Sequence, residues 1–201
     1  MRRRVGWTAA AALGGLAILG GSFARGEPVW STQSAEIRFH ATSIAQNLDA
    51  KSVAGNFIYD GHGGFVGTVP MTSFDFGGEL LKKHFAENYA EVDHEGPQDA
   101  RGRPTHPNEL ASVTGRLQTP VDPTVTTPQE VALVGHFICH GVALDRVFKG
   151  TVTVSGDTMH LDVKFDVQPE AHAMHLPAIG PDKLFETVEV TVDATLRRVP
   201  E

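Results

Sequence analysis

The sequence has little that covalent or catalytic chemistry needs. There is a single cysteine among 201 residues, Cys139, so no internal disulfide can form. A chain of this length has to be held together by its apolar core instead. There is no Gly-x-Ser-x-Gly, no His-Glu-x-x-His, no glycine-rich phosphate loop and no Cys-x-x-Cys, so the usual signatures of nucleophilic, zinc, nucleotide and dithiol chemistry are missing. The formal net charge is −7, and beyond residue 26 no basic run offsets the acidic balance, so that part of the chain repels nucleic acid and anionic headgroups. Tryptophan and tyrosine number two each, against eleven phenylalanines. Aromatic surface is therefore supplied almost entirely by a side chain with no polar handle.

Long apolar runs are also scarce. The only one, Ala9 to Gly21, follows Arg2, Arg3 and Arg4 and precedes the small residues Ser22 and Ala24. It is shorter than the ~20 residues that cross a bilayer. A charged start, an apolar centre and a small-residue cleavage site predict a secretory signal peptide over residues 1–26, cut after Ala24 or Gly26. An uncleaved membrane anchor is the competing reading. Losing residues 1–26 removes four arginines and no acid, which takes the formal net charge from −7 to −11. The mature domain is then residues 27–201, with no stable membrane anchor, in the periplasm or outside the cell.

What is present is alternation. In Glu36–Ala41, Ile37, Phe39 and Ala41 share one face while Glu36, Arg38 and His40 share the other. Further strands are predicted at Ser52–Tyr59, Phe65–Pro70, Ala111–Gln118, Val131–Cys139, Leu144–Val154, Met159–Val167 and Thr187–Val199. Asp60-Gly61-His62-Gly63-Gly64 and Ser155-Gly156-Asp157 read as tight turns, and His140-Gly141 as a turn or a bulge. The proline-bearing stretches Gly96–Pro107 and Thr119–Pro128 read as loops. One segment departs from period two: Leu81, Phe85 and Tyr89 recur at i, i+4, i+8 and predict a helix within Gly78–Ala90. A second short turn is predicted at Pro181–Phe185. Eight strands with one apolar face each predict an all-β domain, either a closed antiparallel barrel or a two-sheet sandwich. An eight-stranded barrel is filled by its own side chains or holds one small ligand, and periodicity does not separate the two.

The inward phase of the strands carries Phe39, Phe57, Phe65, Phe137, Phe148 and Phe165, each equally consistent with lining a cavity or filling a core. A long apolar ligand buried there would gain about 0.8 kcal/mol per methylene without a charged contact. Ten histidines are the other distinctive count. His136 and His140, four apart on one strand, stand roughly 13 Å from each other by strand rise and cannot share a metal on a straight strand. His172, Met174 and His175 lie in a turn-rich segment and form the one alternative metal site, soft enough for copper. His84 and Glu87 have helix-face spacing, which surface ion pairs commonly use. Cys139, inside a strand, reads as a small buried hydrophobe rather than a reactive thiol.

Several blocks, in order, resemble the YceI-like family. Thr72-Ser73-Phe74, then Leu80-Leu81-Lys82-Lys83-His84-Phe85-Ala86-Glu87-Asn88-Tyr89 and Glu91-Val92-Asp93, are similar to a strand ending in Ser-Phe, a helix with His-Phe-Asn-Glu-Asn-Tyr, and Glu-x-Asp. Ala111-Ser112-Val113-Thr114-Gly115 resembles Ala-Thr-Phe-x-Gly, and Phe137-Ile138-Cys139-His140-Gly141-Val142 resembles Leu-Thr-Ile-His-Gly-Val. Leu176-Pro177 and the closing strand Glu189–Leu196 match in position. The likeness covers nearly all of residues 29–199. It departs at Ala86, in a longer Gly96–Pro107 loop, and at Ala171-His172-Ala173-Met174, where Asp-Tyr-x-Ile is usual. The resemblance implies an eight-stranded antiparallel lipocalin-like β-barrel with one short helix inserted after the third strand, and a structural role for His84. It also implies a non-enzymatic periplasmic protein that binds or carries a polyisoprenoid, an isoprenoid quinone or a fatty acid or amide, with no other cofactor. Met174 joins the phenylalanines as a candidate ligand contact, and a homodimer is expected by the same analogy. The alternative function is a metal-binding or stress-related protein using the His172, Met174 and His175 loop.

Overall fold

A computed structural model describes residues 29–42, 47–175, 178–179, 182–183 and 185–199. The predicted signal peptide and its cleavage points lie outside them, as do Leu176 and Pro177. Eight strands form a closed barrel: β1 (Trp30–Thr42), β2 (Asn47–Tyr59), β3 (Gly64–Pro70), β4 (Leu110–Leu117), β5 (Gln129–Cys139), β6 (Val142–Ser155), β7 (Thr158–Val167) and β10 (Val188–Arg198). Between the last two, β8 (Ala178–Ile179) and β9 (Asp182–Lys183) pair with each other as a separate small ladder. The barrel is an antiparallel meander in which β10 closes onto β1, so the sandwich alternative falls. Closure gives every strand two neighbours and leaves an unpaired stretch only where β6 and β7 part beyond Gly150 and Val163.

The alternation delivers the expected faces. Val192, Ala194 and Leu196 of β10, and Met159, Leu161 and Val167 of β7, point inward and are buried. Two strands are longer than period two alone predicts, and bulges are the reason. In β1 the buried phase passes from Trp30 to Ala35 and Ile37, and in β2 from Ala50 and Ser52 to Gly55 and Phe57. The β1–β2 register shifts on either side of the Ala35–Gly55 pair and then recovers. A bulge inserts one residue and flips the face, so each strand carries two apolar half-patterns of opposite phase. Ser52, buried at this irregularity, is satisfied locally. Its Oγ–H donates to Ser73 Oγ (2.6 Å), whose own proton goes to the Pro70 carbonyl (2.6 Å), while the Ala54 N–H donates to Ser52 Oγ (3.1 Å).

The hairpins form where positive φ is available. Gly61, Gly63, Gly141 and Gly156 all adopt it, and His140 joins Gly141 in a two-residue turn between β5 and β6. Gly115 and Gly135 face each other across β4 and β5, where a Cβ on Gly115 would stand 2.4 Å from the Val134 carbonyl oxygen. Backbones approach there more closely than any side chain permits.

The helical segment follows β3 as expected but is not one regular helix. An α-helix, α1 (Glu79–His84), runs into a π turn over Phe85–Tyr89, where the Ala90 N–H donates to the Phe85 carbonyl at 2.8 Å. The wider turn ends the predicted stripe after Phe85, which is buried; Leu81, one regular turn earlier with its carbonyl accepting from the Phe85 N–H, is 36% exposed. Glu87 pairs with Lys83 (3.9 Å), an ordinary surface ion pair, rather than with the His84 that the sequence spacing set beside it. Of the turn predicted at Pro181–Phe185, Pro181 and Leu184 lie outside the described residues, and Asp182–Lys183 is strand. No described helix is long and apolar enough to cross a membrane.

Candidate ligand cavity

The barrel is not filled. A cavity of about 210 Å³ runs inside it, against the roughly 10–15 Å³ that holds one water. Among the described residues no lining residue is acidic, basic or histidine; the wall is aliphatic and aromatic, with Tyr59, Thr68, Tyr89, Ser112 and Cys139 the few side chains bearing a heteroatom other than methionine. Strand phase explains this composition, because the inward positions of all eight strands are the apolar half of each alternation.

Phe39, Phe57, Phe65, Phe137, Phe148, Phe165 and Met174 all line this cavity. Their rings fall into three groups. Phe57 stacks on Phe65 (5.6 Å between centroids). Gly67, opposite Phe57 on β3, makes room for that pair, since a Cβ there would come 2.2 Å from the ring. Phe137, Phe148 and Phe165 meet edge to face at 4.8–6.0 Å. Phe39 belongs to a third group with Phe74, Phe76 and Phe85 (4.8–6.4 Å).

Phe74, Phe85, Tyr89 and Phe185 also line the cavity, and strand periodicity had no way to place them. They come from the turn after β3 (Phe74), the helical segment and the loop before β10, which cover the end of the barrel where β5 stops and β6 begins. The opposite end is sealed by Tyr59, Val121, Val154 and Leu196, all buried. The Val121 N–H donates to the Tyr59 hydroxyl oxygen (3.3 Å), and burial raises the pKa of that phenol.

The two special polar residues have separate environments. Cys139 lines the cavity, and burial pushes its thiol up to about 11, so it stays protonated and behaves as a small hydrophobe. His172 is 1% exposed, in a short 3₁₀ turn (Pro169–His172) after β7. Its Nδ1–H donates to the Val142 carbonyl (3.1 Å), its ring meets Phe137 edge-on (5.1 Å), and its own carbonyl accepts from His140 Nδ1 (3.1 Å). These bonds tie the turn to the β5–β6 hairpin.

Of the alternative metal ligands, His172 is thus committed to the core, Met174 faces the cavity, and His175 is exposed. Among the described residues no group of three or more His, Cys, Asp or Glu is placed to hold a metal ion. His136 is exposed and pairs with Asp145 (2.5 Å), while His140 sits in the turn beyond it with Nε2 3.4 Å from Glu91.

Burial holds the His172 pKa below the ordinary histidine value, with Arg146 and His140 adding to the effect and the Val142 and Cys139 carbonyls opposing it. The unfolded chain therefore takes up a proton near pH 6.5 that the folded chain refuses. The stability this ring contributes is complete above that pH and is lost as the pH falls below it. His172→Gln, which has no such proton, is expected to show a smaller fall in melting temperature between pH 7 and pH 5 than the parent. Equal falls in the two proteins would exclude His172 as a source of acid sensitivity.

No family model matches the sequence, and no curated protein matches it. Solved structures do. A polyisoprenoid binding domain from Saccharophagus degradans, implicated in plant cell wall breakdown, superposes with a TM-score of 0.66 at 12% identity, covering 87% of this chain and all of that one. BcnA of Burkholderia cenocepacia matches with a TM-score of 0.59 at 11% identity, over 81% of this chain and 95% of its own. The YceI protein of Campylobacter jejuni gives 0.57 at 8% identity, over 80% and 89%. At such identities the likeness is one of architecture, and in architecture this chain is a YceI-like barrel: eight closed antiparallel strands with a short helical segment after the third.

Proposed function

We propose that the protein is an exported, non-enzymatic member of the YceI-like family that binds a long-chain apolar molecule, such as a polyisoprenoid, isoprenoid quinone or fatty acid or amide, inside its barrel. The observation that carries this reading is a continuous cavity whose wall, among the described residues, holds no ionisable side chain other than the Cys139 thiol and the Tyr59 and Tyr89 phenols. Such a wall offers nothing for acid–base or nucleophilic chemistry at neutral pH, and much to a hydrocarbon. Each buried methylene contributes about 0.8 kcal/mol, so chain length supplies the affinity. The S. degradans neighbour is itself a polyisoprenoid binding domain, which supports the same class of cargo here. The apolar run after three arginines supports export to the periplasm.

Native mass spectrometry of the protein purified from its own compartment, followed by organic extraction, tests the cargo. A stoichiometric long-chain species is expected. Protein that emerges empty, and that fails to take up a long-chain fluorescent probe, would overturn the reading. N-terminal sequencing of exported protein should begin at Arg25 or Glu27, and size-exclusion chromatography decides whether two copies associate.

A further inference from the structure

The barrel has one weak seam. Ladder pairs join β6 and β7 only from Gly150–Val163 to Ser155–Thr158. Beyond Gly150, β6 continues to Val142 paired with β5 alone, while the rest of β7 pairs with β10. At the last shared rung the strands are in tight contact, a Cβ on Gly150 falling 2.4 Å from the Asp162 carbonyl oxygen. Past it, side chains rather than backbone bonds hold the wall: Phe148 of β6 meets Phe165 of β7 at 4.8 Å.

Arg146 stands on the same face of β6 as Phe148, half-buried, across the ladder from Gly135, whose missing side chain leaves it room. Its guanidinium carbon lies 5.9 Å from the Phe148 ring centre and 5.8 Å from that of Phe165. Both rings line the cavity. Among the described residues no carboxylate is within 4 Å of Arg146, and its guanidinium makes no side-chain hydrogen bond. The neighbouring His172 feels its positive charge. A half-buried cation without a counter-ion among the described residues, one ring's thickness from a cavity whose described wall holds no charge, is an orientation signal for a ligand with one charged end.

We propose that the β6–β7 seam is the head-group site of this barrel, where Arg146 binds the anionic end, carboxylate or phosphate, of a ligand whose chain occupies the cavity. This rests on the apolar-cargo reading and adds polarity to it. The chain end passes between Phe148 and Phe165, which need only change rotamer because no backbone bond bridges the strands there. The guanidinium then replaces its ring contacts with charge-assisted hydrogen bonds, and the buried tail fixes the ligand's direction.

Delipidated protein titrated with palmitate and with hexadecanol, then with farnesyl phosphate and farnesol, tests this. The parent is expected to bind each anion about tenfold or more tightly than its alcohol. Arg146→Gln should lose that preference while keeping its affinity for the alcohol, and Arg146→Lys should retain part of it. A preference only for palmitate identifies the head group as a carboxylate, and one only for farnesyl phosphate as a phosphate. Equal binding of anion and alcohol by the parent, or a preference that survives in Arg146→Gln, overturns the head-group site and leaves the apolar cargo intact. If the parent binds none of the four, the cargo reading falls and the head-group site with it. Retained alcohol binding in Arg146→Gln shows that the variant is folded.

Discussion

Ala111→Trp is expected to abolish binding of a long-chain probe while leaving the barrel folded. Ala111 is buried at the start of β4, paired with Val69 of β3, and its methyl group forms part of the cavity wall. An indole built there has open volume to enter, whereas the same change in a filled core would force neighbours off their rotamers at about 1–3 kcal/mol. The space it occupies is space taken from the ligand. Excluding four methylenes forfeits about 3 kcal/mol of transfer energy, which is more than a hundredfold in affinity. Titration with a long-chain fluorescent probe, alongside a thermal melt, reads both effects. A folded Ala111→Trp protein that binds the probe as well as the parent would mean that the chain lies elsewhere.

Leu196→Ala should act at the sealed end and with the opposite balance, a large loss of stability. Leu196 is fully buried, and its ladder partner is Met159, itself 4% exposed. Truncation removes its transfer energy and widens a void that the closed barrel cannot collapse around. The expected loss is about 3 kcal/mol, which lowers the melting temperature by roughly 6–12 °C for a domain of this size. Val134→Ala is the control. It has the same chemistry at the outer face of β5, where Val134 is 45% exposed, and should change stability by less than about 0.5 kcal/mol. A Leu196→Ala protein as stable as the control would show that the sealed end is looser than its burial implies.

The contrast between these sites follows from strand phase, and strand phase is legible in the chain. The alternation of Val188 to Leu196 assigns one face of β10 to the interior, and the same logic places Phe39, Phe57, Phe65, Phe137, Phe148 and Phe165 on the inner wall. Where a bulge intervenes, as at Ala35 and Gly55, the period resets and only half of each strand is visible. The helical stripe was misleading in detail for a similar reason. Up to Phe85 the segment is α-helical, so Leu81 and Phe85 keep their shared face, but the π turn over Phe85–Tyr89 adds a residue and carries Tyr89 off it.

The sequence by itself determined the strand content, the turns, the acidic apolar-faced character of the domain and the candidate wall residues, because all of these depend on neighbours one to four positions apart. Closure into a barrel, the space left inside it and the seam beside Arg146 were decided only in three dimensions. Alternation assigns a residue to the inner face, but whether that face meets another side chain or open volume depends on the curvature of eight strands together. Glycines such as Gly67, Gly115 and Gly135 contribute to that curvature through contacts with residues far along the chain. The cysteine noted first for its solitude shows the same division. Its lack of a disulfide partner is a fact of composition, while its place on the cavity wall, with its thiol held protonated, is a fact of the fold.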